Sequence, residues 1–150
     1  MYIKSMKTAL VVSALMLARA GYAQQVDLLV FQDMKPGQWI DTPLKTPKGM
    51  EKFSKAETYC LTLEEINKNK KINLKQNGCT ATILSNTYKE TVIDNLCSND
   101  KFGIIMKTKS TFTRESANTW ITTTLSFDPA GGSVVISDKT QFLSPQCTIK

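Results

Sequence analysis

The clearest alternation in the chain runs over 102–112. There Phe102, Ile104, Met106 and Phe112 fall on one face and Lys107 and Lys109 on the other, the period-two pattern of a half-buried strand. A second run over 119–127 sets Ile121, Thr123, Leu125 and Phe127 against Trp120, Thr122, Thr124 and Ser126, and leaves open which face is the outer one. Asp128-Pro129-Ala130-Gly131-Gly132 reads as a hairpin loop, 133–137 runs back from it, and a last strand over 139–143 stops before Pro145 and Cys147. Upstream, 79–84 is rich in threonine and β-branched residues, 85–87 turns, and 88–97 returns. With turns at 98–100 and 114–118, the second half of the chain is predicted to be a β-meander of four or five strands.

The first half is less regular. Residues 26–31 form an apolar run that suits a first strand or a short helix, and periodicity does not separate the two. Pro36-Gly37 signals a type II turn leading into a strand that carries Trp39; 43–53 reads as a loop and 56–61 as a short strand. Thr62 and Glu65 then make a capping box, with Glu64 and Glu65 at the positive end of the helix dipole and Lys68, Lys70 and Lys71 at the other. A helix over 63–71 follows. So short a helix needs an apolar surface to lie on. The predicted fold is mainly β: an antiparallel meander forming a curled sheet or partial barrel, one short α-helix, and disulfide staples.

Residues 1–23 read as a secretory signal, with Lys4 and Lys7 before an apolar stretch over 8–18 and Gly21-Tyr22-Ala23 as the small-x-small cleavage pattern. That stretch is too short to span a bilayer, so the expected product is an exported periplasmic protein cleaved after Ala23, with no transmembrane segment. Cleavage removes Lys4, Lys7 and Arg19 and no acid, lowering the net charge from +6 to +3. The remaining 24–150 suits a single domain. Four cysteines in a short exported chain imply two disulfides, in one of three pairings. A hairpin centred near Tyr88 sets Cys79 opposite Cys97, which leaves Cys60 for Cys147; loop entropy makes these worth ~3 and ~4 kcal/mol.

The composition excludes several chemistries. The chain has no histidine, so Ser-His-Asp and Cys-His arrangements are absent. No close cysteine pair suits zinc or thiol redox work, and Gly131-Gly132 is not followed by a phosphate-binding helix. No cofactor and no metal are expected, and export with a charge of +3 speaks against nucleic acid. Glu64 and Glu65 point about 100° apart on a helix and suit capping rather than catalysis. Lys68-Asn69-Lys70-Lys71 reads as a solvated helix end, with contact to an anionic partner as the sharper alternative. Trp120 and Trp39 are the candidate contacts for a ligand or partner. Trp120 suits stacking if the threonine face is outward, and Trp39 suits a core anchor.

The order Lys35-Pro36-Gly37-Gln38-Trp39, Cys60-Leu61-Thr62-Leu63-Glu64, Cys79, Cys97 and Cys147 resembles the bacterial domain-of-unknown-function family 3617 across the whole chain after residue 23. Ile40 stands where that family often has an acid, and Ser144-Pro145-Gln146 where it often has a glycine-containing approach to the last cysteine. The resemblance implies a small periplasmic protein of Gram-negative bacteria and transfers no catalytic residue. Two functions follow as expectations. The first is a non-catalytic module that binds a small apolar or amphipathic molecule, an envelope component or a protein. The second is a carboxylate-dependent hydrolase, which needs two acids within roughly 10 Å, such as Glu57 or Asp94 with a partner from another strand.

Overall fold

The computed structural model describes residues 24–99, 104–127 and 130–148. The segment 1–23 expected to be a secretory signal, Phe102 and the Asp128-Pro129 start of the expected hairpin loop lie outside the described residues. The chain runs β1 (Gln25–Asp27), a 3-10 turn (Leu29–Phe31), β2 (Gly37–Lys45), a second 3-10 turn (Glu51–Phe53), β3 (Glu57–Leu61) and α1 (Leu63–Asn69). Then come β4 (Lys71–Asn73), β5 (Lys75–Gln76), β6 (Cys79–Asn86), β7 (Glu90–Asn99), β8 (Ile104–Ser116), β9 (Thr119–Phe127) and β10 (Ser133–Ser144). β1 and β4 form a two-stranded sheet; the others make an eight-stranded antiparallel sheet in the order β3-β2-β10-β9-β8-β7-β6-β5, which does not close into a barrel.

Local chemistry explains much of this. Thr62 Oγ1 accepts from the Glu65 N–H at 3.2 Å while Glu65 Oε2 accepts from the Thr62 N–H at 2.7 Å, so the capping box starts α1 as the residues require. The helix ends sooner than its lysines suggest: Lys70 is its C-cap and Lys71 opens β4, because β4 pairs with β1. Asn77 (φ 51°) and Gly78 (φ 77°) both take positive φ and make the two-residue turn between β5 and β6. Cys79 and Cys97 face each other across β6 and β7 and are joined, as are Cys60 and Cys147.

Strand ends depart from the reading in several places: β2 runs to Lys45, into the loop expected over 43–53, and β6 to Asn86, into the turn expected over 85–87. β7 runs to Asn99 through the turn expected at 98–100, and β8 runs to Ser116 through most of the turn expected at 114–118, since each keeps its neighbour's hydrogen bonds to the end. The two strands expected over 133–137 and 139–143 are one strand, bent by a register shift between Ser137 and Asp138 where it pairs with β2.

The run over 26–31 is both of the things its periodicity allowed: β1, then a 3-10 turn. This segment covers the sheet. Val30 packs with Trp39 and Trp120, Leu28 with Ala81 and Ile93, and Phe31 touches both groups. The inner face is thus the one carrying Trp120. Ile121, Leu125 and Phe127 take the opposite face, because solid cover is available only on the Trp39 side. The cover is pinned by polar groups from far along the chain. Trp120 Nε1 donates to Val30 O at 2.7 Å, and the Asn86 amide holds both Leu29 N and Asp27 O. Arg114, its side chain 6% exposed, reaches Asp33 at 2.8 Å and lies over the Tyr88 ring.

Candidate functional site

Both tryptophans are withdrawn from the surface. Trp39 is 0% and Trp120 1% exposed, their rings 5.4 Å apart, and each indole N–H is used within the fold, Trp39 donating to Lys35 O at 3.2 Å. A ligand arriving from solvent meets neither ring. The condition under which Trp120 would stack on a ligand, an outward threonine face, does not hold at its end of β9.

Of the two acids named as hydrolase candidates, Glu57 has an acid as its cross-strand partner and Asp94 does not, its partners being Thr82 and Lys109. Glu57 sits on edge strand β3 and Asp94 on β7, five strands away in the sheet order, about 24 Å at the usual strand spacing. The acid opposite Glu57 is Asp41, on β2. Asp41 Oδ1 accepts from Tyr59 Oη at 3.0 Å and from Thr140 Oγ1 at 2.6 Å. Burial, and then the Asp41 charge, push the Tyr59 hydroxyl far above its ordinary value. Asp138, on the neighbouring strand, is raised above the ordinary carboxylate value by burial first and by Asp41 second. Among the described residues no group of three His, Cys, Asp or Glu side chains is placed to hold a metal ion. Nor is any described helix long and apolar enough to cross a membrane.

A different region has the shape of a site. Where α1 ends, the small β1–β4 sheet stands over the β5–β7 end of the large one, and between them lies a cleft of about 620 Å³. That size is ordinary for a ligand site. Ile72, Cys79 and Ala81 supply its apolar part. Six amide side chains line the rest: Gln25, Asn69, Asn73, Gln76, Asn77 and Asn95, with Lys68 and Lys71 beside them. Asn73 Nδ2 donates to Gln76 Oε1 at 2.9 Å, while Asn73 Oδ1 is shielded from solvent and has no hydrogen-bond partner.

The placement follows from the local structure. The Asn77-Gly78 turn presents Gln76 and Asn77, and the pairing of Ala81 with Asn95 puts both on the inner face. The helix end delivers Lys68 and Asn69, and β4 delivers Lys71 and Asn73. The Lys68-Asn69-Lys70-Lys71 run is therefore divided: Lys70 Nζ donates to Gln32 O at 3.0 Å, while the other three line the cleft. The amides themselves escaped the sequence reading. Their only trace there is a high density of asparagine and glutamine over 67–77, which the turn at Asn77-Gly78 obscured.

With this geometry in hand, comparison with known families is decisive on one point. The family model described as a protein of unknown function (DUF3617) matches residues 34–147. The chain belongs to the DUF3617 family. The matched span takes in the Lys35-Pro36-Gly37-Gln38-Trp39 motif and all four cysteines, so the DUF3617 match covers both disulfides and β2 through β10. It begins after β1 and the first 3-10 turn, so the segment that covers the sheet in this DUF3617 protein lies outside the match. No curated protein and no solved structure matches the chain.

Proposed function

We propose that this protein is a non-catalytic binding module of the periplasm, exported by its first 23 residues, and that the cleft at the end of α1 is where it holds its ligand. The observation that carries the reading is the cleft lining: six amides and two ammonium groups around an apolar patch. Amides and ammonium groups orient a ligand by hydrogen bonds and charge, and an amide side chain is not a general acid or base. Two disulfides and the secretory pattern at the N-terminus support export.

Osmotic-shock release followed by native and denaturing mass spectrometry tests this. The expected product starts at Gln24, lacks four hydrogens relative to the reduced chain, and carries an added mass that denaturation removes. A protein recovered in the cytoplasm with residues 1–23 attached would refute the export reading, and the absence of protection from hydrogen exchange around 68–81 on ligand addition would refute the site. A hydrolase is the second reading, favoured by the Asp41 and Asp138 carboxylates on adjacent strands, with the Asp138 carboxyl raised above its ordinary value by burial and then by Asp41. Turnover of an ester or glycoside panel that Asp138→Asn abolishes would establish it instead.

A further inference from the structure

We propose that the ligand of this cleft is an anionic oligosaccharide, a short sugar chain bearing a carboxylate or phosphate group. The inference rests on the binding-module reading and adds the ligand's chemical class. A sugar hydroxyl donates and accepts at once, and an amide side chain offers both an acceptor and two donors without charge. Six amides converge here, and the Asn73–Gln76 pair uses one donor and one acceptor on itself while leaving the Asn73 carbonyl unpartnered. The C–H face of a sugar ring needs a small apolar platform, which Ile72 and Ala81 provide.

Other ligand classes fit the lining less well. A wholly apolar molecule would strip water from the amides with nothing in return. The lining holds no aromatic side chain on which a nucleobase could stack and no carboxylate to receive a cation. Charge completes the argument: Lys68 and Lys71 both line the cleft, and among the described residues neither is in an ion pair. With two ammonium groups and no carboxylate in its lining, although Asp27 lies opposite Lys71 on β1, the cleft favours a ligand with negative charge.

The test is an array of di- to tetrasaccharides in matched neutral, uronate-bearing and phosphate-bearing forms, probed with the disulfide-intact protein, with titration calorimetry of the strongest binder. Acidic glycans are expected to bind at least tenfold more tightly than their neutral counterparts. Lys71→Gln, at an exposed position, is expected to remove that preference while the circular dichroism spectrum stays unchanged. Asn69→Ala is expected to weaken acidic and neutral glycans alike. Equal binding of neutral and acidic glycans, or an unchanged preference in Lys71→Gln, would overturn the charge requirement. If no glycan binds but a peptide or lipid protects 68–81 from exchange, the glycan inference falls and the binding-module reading stands. If nothing protects the cleft, both fall.

Discussion

Replacing Trp120 by phenylalanine separates the role of one hydrogen bond from that of ring packing. The indole N–H is the donor to Val30 O at 2.7 Å, in a place where neither residue is exposed by more than 1%. Phenylalanine keeps a ring near Trp39 and Phe31, at 5.4 and 6.2 Å in the native protein, and removes the donor. A buried carbonyl left unpaired costs about 1–3 kcal/mol. The missing part of the indole leaves a void of roughly 40 Å³, worth about 1 kcal/mol at the measured cavity coefficient. The expected loss is therefore about 2–4 kcal/mol, or a fall in Tm of roughly 8–16 °C for a domain of this size. Urea and thermal unfolding, followed by circular dichroism, measure it. Trp39→Phe is the internal comparison, because that indole donates over a longer 3.2 Å to a carbonyl in a less buried setting. If Trp120→Phe costs no more than Trp39→Phe, the hydrogen bond to Val30 does not hold the N-terminal segment down, and the account of the cover given above is wrong.

Four further outcomes are expected. Gly37 has φ 144°, and a Cβ there would meet the Ser144 carbonyl and come within 2.8 Å of the Phe142 ring, so Gly37→Ala should cost about 3 kcal/mol in urea unfolding; a loss below about 1 kcal/mol would contradict the close packing of β2 on the C-terminal end. Cys60→Ser/Cys147→Ser opens a loop of 87 residues and should cost about 4.5 kcal/mol, against about 3 for opening the 18-residue loop of Cys79 and Cys97; the reverse order would discount loop entropy as the source. The Asp33 carboxyl is held below its ordinary 3.8 by the Tyr88 hydroxyl and then by Arg114, so its contribution is present above pH 3.8 and lost as pH falls through the lower folded value. Asp33→Asn should flatten that acid limb of a urea-midpoint profile, and an unchanged limb would remove Asp33 from the clamp. Asp138 is shifted the other way, so its contribution is present below pH 3.8 and lost as pH rises through the raised value; Asp138→Asn should raise the urea midpoint at pH 7, and a fall would refute the burial argument.

What the sequence disclosed, it disclosed through short-range chemistry. The Thr62–Glu65 box and the register that sets Cys79 opposite Cys97 each depend on residues within one helical turn or one hairpin, and both are present. The 3-10 turn after β1 depends on Asn86, Arg114 and Trp120, which lie between 57 and 90 residues away from the groups they bind. No window over 26–31 contains that information. The choice of buried face on β9 was open for the same reason: Trp120 and Ile121 offer comparable apolar area, and only the position of the N-terminal cover decides between them. The cleft was hidden because its amides come from three separated parts of the chain, Gln25, the run over 69–77 and Asn95, none of which alone reads as more than a polar turn or strand.

The position of β10 has a consequence for how the protein is made. Among the described residues, the hairpin of β2 and β3 and the meander of β6 to β9 touch in the large sheet only through Ser133–Ser144, a strand made after both of them. A chain delivered with its N-terminus first must therefore hold two unfinished half-sheets, each with an open hydrogen-bonding edge, until its final residues arrive. Such edges invite pairing with other molecules, and on β2 the waiting edge carries Asp41, Pro43 and Lys45, which discourage it. Completion is late and depends on contacts distant in sequence, so folding on the millisecond-to-second scale is expected. Loss of Ser133–Ser144 would leave the two parts of the large sheet joined by the packing of Val30 with Trp39 and Trp120 rather than by a strand.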